Sequence, residues 1–112
     1  MFEAAETGQI QGFVSATTIT DVYYLVRRET KSKAIAASAI DGLLTLMDIC
    51  PVNRSVIEQA ITLQLGDFED AVQIACAMNQ NLNAIVTRDP KGFLDSPIRA
   101  LSPQELRNQL TP

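Results

Sequence analysis

The stretch Gly66 to Phe93, GDFEDAVQIACAMNQNLNAIVTRDPKGF, constrains the fold of this chain more than any other. Ala71, Ile74, Ala75 and Met78 recur at the spacing of one helical face, so that face is expected to enter a core. Asp67 and Asp70 lie one turn earlier, on roughly the same side. Ala84-Ile85-Val86-Thr87 is a short apolar run with β-branched residues. Its length suits only a strand, and its composition predicts one buried in a parallel sheet. Asp89 follows that strand. In an open α/β sheet, ligand sites collect at the carboxyl ends of the strands. Carboxylates converging there with no cation among them are costly unless a metal ion sits between them.

The chain has 112 residues, enough for one domain with a modest core. Its apolar share of 46% is that of an ordinary globular protein. No apolar run is long enough to span a bilayer, and no basic-then-apolar signal opens the chain, so a cytoplasmic protein without a membrane partner is expected. Cys50 and Cys76 sit in apolar surroundings, without a partner at metal-ligand spacing. Histidine is absent, so a zinc site is not expected, and both cysteines read as small core residues. A net charge of −4 argues against a broad electrostatic grip on nucleic acid. It leaves room for a nuclease, because an acidic site recruits divalent cations that reverse the local field.

Taken in order, Phe2 to Thr7 reads as the last turns of a helix, with Gly8 as its stop. Gln11 to Ala16 is a strand candidate. Thr17 to Arg28 is a helix with Ile19, Val22, Tyr23 and Val26 on its apolar face. Lys31 to Met47 is a second helix, with Ile35, Ala39, Leu43 and Met47 at near-helical spacing. Asp48 to Val52 is a strand, and Pro51 places it at an edge or marks its end. Arg54 to Leu65 is a helix with Asn53 as N-cap and Gly66 as stop. A last short strand over Ile98 to Ala100 precedes a capped helix start at Ser102-Pro103-Gln104-Glu105. Strands alternating with helices predict an α/β fold with a parallel sheet.

In this order and spacing, the chain resembles a PIN domain, the small metal-dependent nuclease fold of VapC-type toxins. The likeness rests on Asp70-Ala71 opening a helix with Ile74-Ala75, on Ile85-Val86-Thr87-Arg88-Asp89, and on Phe93. It extends back to Ser15-Ala16 through Asp21, so it covers most of the chain. The resemblance implies a small parallel sheet flanked by helices, and an endoribonuclease acting on single-stranded RNA. It further implies magnesium or manganese as cofactor, a homodimer, and a small antitoxin protein as partner. It makes Asp21, Asp70 and Asp89 the catalytic metal ligands, with Asp67 as a further ligand and Thr87 in support. The family begins with a central strand bearing an acidic residue, and nothing before Phe2 matches it. The expectation is one PIN-like domain over residues 1–112, incomplete at its N-terminus, with weak metal binding and low or absent activity.

Each of these residues also has a plainer reading. Asp67 and Asp70 fit a capping box, as N-cap and N3. Thr18 and Asp21 fit another. Asp89 before Pro90 is a common way to begin a turn. Asp21 is also a shorter carboxylate than the glutamate the family usually carries there, which leaves a water-bridged role open. Arg27, Arg28, Lys31 and Lys33 form a basic cluster, either a solvated loop or an RNA-contacting rim. Arg88 and Lys91 flank Asp89 and could serve likewise. An alternative function is a catalytically silent PIN-like module acting through dimerisation or a protein partner. A third, a phosphate-binding α/β domain, finds no glycine-rich loop to support it.

Overall fold

The computed structural model describes residues 8 and 10–110. Their order is β1 (Gly12–Ser15), α1 (Ala16–Thr30), α2 (Lys33–Leu46), β2 (Met47–Cys50), α3 (Arg54–Thr62), α4 (Phe68–Asn79), β3 (Ile85–Val86), a 3-10 turn (Pro90–Phe93), β4 (Ala100–Leu101) and α5 (Pro103–Leu110). The alternation and the two parallel strand pairs give the α/β class expected. The chain divides into two compact units, one over Phe2–Pro51 and the other from Val52 onward. The helix end expected at Phe2 to Thr7 lies outside the described residues. Gly8 itself has φ 79, the left-handed conformation that a helix stop needs.

In the first unit, β1 and β2 pair in parallel, with Gly12 opposite Met47 and Ser15 opposite Cys50. The chain turns from β1 directly into α1 because Ser15 caps that helix. Its buried hydroxyl accepts from Thr18 N at 3.2 Å and bonds the Thr17 and Thr18 hydroxyls at 3.0 and 2.8 Å. The cap is therefore Ser15 and not Thr18, and Asp21 falls in the second turn, beyond the reach of a capping role. Ser15→Ala strips one N–H and two hydroxyls of a partner. It should cost about 1–2 kcal/mol, read as a lower urea midpoint.

The expected α1 face, Ile19, Val22, Tyr23 and Val26, is half-buried, while Tyr24 and Leu25 are exposed. Lys31 closes α1 in the left-handed conformation, φ 55, and its N–H reaches Arg27 O at 2.7 Å. Ser32 then caps α2, so that helix starts at Lys33 rather than Lys31. Its face is also rotated from the expected one. Ile35 is 51% exposed and Ala36 is fully buried. β2 ends at Cys50, just before Pro51, as proline's missing donor requires. Burial pushes the Cys50 thiol pKa up, which keeps it a protonated, inert core group.

In the second unit, Asn53 caps α3 by accepting from Val56 N at 3.0 Å. The helix ends at Thr62, short of Leu65, with Gln64 in the left-handed region at φ 53. Gly66 has no positive φ and is not the stop. α3 packs on α4, which is the centre of this unit. Ala71, Val72, Ile74, Ala75, Cys76 and Ala77 are all buried, so α4 is covered on more than the single face predicted. β3 and β4 pair in parallel, and Ile85 N to Arg99 O (3.0 Å) and Thr87 N to Leu101 O (2.9 Å) extend the ladder to Thr87. β3 is half-buried rather than buried. Among the described residues it has a strand on one edge only, and full burial needs both edges and both faces covered. α5 opens with the expected capping box, Glu105 N to Ser102 Oγ at 3.1 Å and Ser102 N to Glu105 Oε1 at 3.0 Å.

Candidate functional site

The N-terminus of α4 and the carboxyl end of β3 supply the acids of the second unit. Asp67 is the N-cap of α4, its Oδ1 accepting from Asp70 N at 3.1 Å. The capping reading of Asp67 therefore holds. Asp70, at N3, is half-buried, and no hydrogen bond reaches its carboxylate among the described residues. Its pKa is raised, first by desolvation and then by the negative charges of Asp67 and Asp89. The fold thus brings the carboxylate after β3 within electrostatic reach of the carboxylates that open α4. No ion pair ties Asp67, Asp70 or Asp89 to a cation among the described residues.

Asp89 is not a helix cap. Pro90 starts the 3-10 turn, as Asp-Pro predicts, but the Asp89 side chain makes no capping bond to it. Thr87 Oγ1 accepts from Asp89 N at 3.1 Å, so Thr87 fixes the backbone of Asp89 rather than its carboxylate. Gly92 N–H donates to Asp89 O at 3.2 Å. The sequence reading passed over Gly92. A β-carbon there would stand 3.1 Å from Asp89 Oδ2. The available signal was an Asp-x-x-Gly spacing at the end of a strand.

The remaining candidates are distributed as follows. Arg88 and Lys91 are exposed on either side of Asp89. Asp21 is exposed on α1 in the first unit, as are Arg27 and Arg28 in the last turn of α1 and Lys31 just beyond it. Cations at a helix C-terminus also complement its dipole, which accounts structurally for Arg27 and Arg28. Among the described residues, no three His, Cys, Asp or Glu side chains stand close enough together to hold an ion as a ready-made set. The donors that fit a divalent cation are Asp70 and Asp89. Both are hard oxygen ligands whose carboxylates accept no hydrogen bond among the described residues, and positive charge would relieve their mutual repulsion. That set suits magnesium or manganese, which keep several waters and need few carboxylates.

The raised pKa of Asp70 makes a stability prediction. A carboxyl whose pKa is higher in the folded state binds its proton more tightly there than in the unfolded chain. Its favourable contribution is present at low pH and is lost as pH rises through the raised value. Asp70→Asn removes that loss. In EDTA at neutral pH the variant should melt roughly 1–3 °C above the parent, a gain of well under 1 kcal/mol for a group this exposed. The gain should vanish by about pH 3, below the ordinary carboxylate range. A variant that melts lower than the parent at neutral pH would show that the helix dipole outweighs the repulsion.

Comparison with known proteins follows the same lines. The PIN domain family profile matches residues 1–91. Ribonuclease VapC1 of Aquifex aeolicus (strain VF5) is 31% identical over 96 residues, which is 81% of this chain and 65% of that protein. The chain thus spans about two thirds of the length of that curated relative. No helix of the described residues is long and apolar enough to cross a membrane.

Proposed function

Because this chain belongs to the PIN-domain family of the VapC type, we propose that it is a magnesium- or manganese-dependent endoribonuclease acting on single-stranded RNA. The observation that carries the reading is that α4 and β3 bring Asp70 and Asp89 within electrostatic reach of each other, with no ion pair to either among the described residues. Asp70 and Asp89 would hold the ion. When bound, it would supply Lewis-acid stabilisation of charge on a phosphodiester and a more acidic water.

The chain's own residues do the rest. Asp67 holds the first turn of α4 in place, so Asp70 projects from a fixed backbone. Thr87 holds the backbone of Asp89 and keeps its own hydroxyl proton for a further acceptor. Asp21 is proposed as a further acid, with a direct or water-bridged role. Arg27, Arg28, Lys31, Arg88 and Lys91 would contact phosphates, which positions RNA without reading its sequence. A cytoplasmic setting is consistent with Cys50 and Cys76 being buried and not joined in a disulfide. A homodimer and a small antitoxin partner are part of the same proposal, suggested by the kinship. The dimer is supported by large apolar side chains exposed in the first unit: Tyr24 (64%), Leu25 (49%), Ile35 (51%), Leu44 (47%) and Ile49 (44%).

The test is cleavage of a labelled single-stranded RNA in manganese, in magnesium and in EDTA. Cleavage in either metal that stops in EDTA is the expected result. No cleavage under any condition would overturn the nuclease reading and favour a non-catalytic module working through protein contacts.

A further inference from the structure

Glycine usually earns its place in a turn by adopting positive φ. Gly92 does not, because Gly8 alone among the described glycines has a positive φ. Its backbone conformation is one that alanine adopts freely. What distinguishes Gly92 is space. A β-carbon there would stand 3.1 Å from Asp89 Oδ2 and 3.7 Å from Asp89 Cγ. The first distance is shorter than ordinary van der Waals separation, so the carboxylate would have to move. The backbone cannot easily absorb that movement. Asp89 N is held by Thr87 Oγ1 at 3.1 Å, and Asp89 O is held by Gly92 N at 3.2 Å. The side chain must turn instead, and no capping bond restrains it.

We propose that Gly92 is a positioning residue: its missing β-carbon lets the Asp89 carboxylate lie against the Pro90–Phe93 turn, and so sets where that carboxylate stands relative to Asp70. The placement of Asp89 rests on this geometry. Its consequence for metal affinity rests on the proposed nuclease reading.

The experiment compares the parent with Gly92→Ala, Asp89→Ala and the double variant. Three-bond NMR couplings to Asp89 Cγ report its χ1 rotamer, and electron paramagnetic resonance titration reports manganese affinity. Gly92→Ala should change the Asp89 rotamer population. It should weaken manganese binding by roughly tenfold, the scale at which groups that orient metal ligands act. In the Asp89→Ala background it should weaken binding no further. Thermal unfolding should be unchanged, since Gly92 is exposed and its φ suits alanine. The same Asp89 rotamer in parent and Gly92→Ala overturns the proposal. If the parent binds no manganese, the couplings still decide. A changed rotamer then upholds the role of Gly92 while the metal reading falls alone.

Discussion

Asp70→Asn and Asp89→Asn should each reduce metal-dependent RNA cleavage on the order of 10²–10³-fold, the scale of losing one electrostatic group at a reacting centre. Asparagine keeps the size and one acceptor oxygen of aspartate, so packing is nearly untouched and the change isolates charge. Asp70 is half-buried beside two other carboxylates, and its neutralisation relieves repulsion in the absence of metal. The same substitution therefore has opposite signs in two assays: stability in EDTA rises and cleavage falls. A residue with a purely structural role would show no such opposition, because cleavage would follow stability. Asp67→Asn is the informative neighbour, because asparagine caps as well as aspartate. It should leave the fold intact, and a matching loss of cleavage would place Asp67 on the ion as well as on the helix. Asp41→Asn, an exposed acid on α2, is the control and should change nothing. Equal cleavage by parent, Asp70→Asn and Asp89→Asn would remove the acidic pair from the chemistry.

The parts of the structure that were legible in the sequence are those where two local signals agreed. α4 had a strong apolar period and an acidic cap, and β3 had β-branched residues running into Asp-Pro. Asn53, Ser102 and Glu105 carry capping chemistry that needs no tertiary help. The misses have physical causes. In α2 the run Ala34 to Ala37 offers little contrast in hydrophobicity, so the spacing could not say whether Ile35 or Ala36 faced inward. Small side chains at a close helix contact won, and Ala36 is the buried one. At the end of α3 the signal followed was Gly66, but the chain spends its left-handed residue on Gln64. For β3, composition reported apolarity but not how many neighbours would cover it. Gly92 was missed because its role is steric, and only coordinates show what a β-carbon would meet.

The largest stability effect should come from Ile74. It is fully buried on α4, the helix that centres the second unit, and with Val56 it is one of the two largest fully buried side chains among the described residues. Ile74→Ala removes several methyl and methylene groups from a site with no solvent to refill it, so a cavity adds to the lost transfer energy. The expected cost is about 2–5 kcal/mol, a large part of the 5–15 kcal/mol that typically holds a domain together. The contrast is Ile35→Ala, the same chemical change on a half-exposed helix position, which should cost within about 0.5 kcal/mol if that side chain has no partner in solution. Urea unfolding followed by circular dichroism reads both. A cost at Ile35 approaching that at Ile74 would mean that Ile35 is covered in solution, and a concentration-dependent midpoint would then identify the cover as a second copy of the chain. A small cost at Ile74 would mean that α4 does not carry the stability of its unit. The placement of Asp70 would then need another source of rigidity, because a carboxylate can be held for metal binding only as firmly as the helix that presents it.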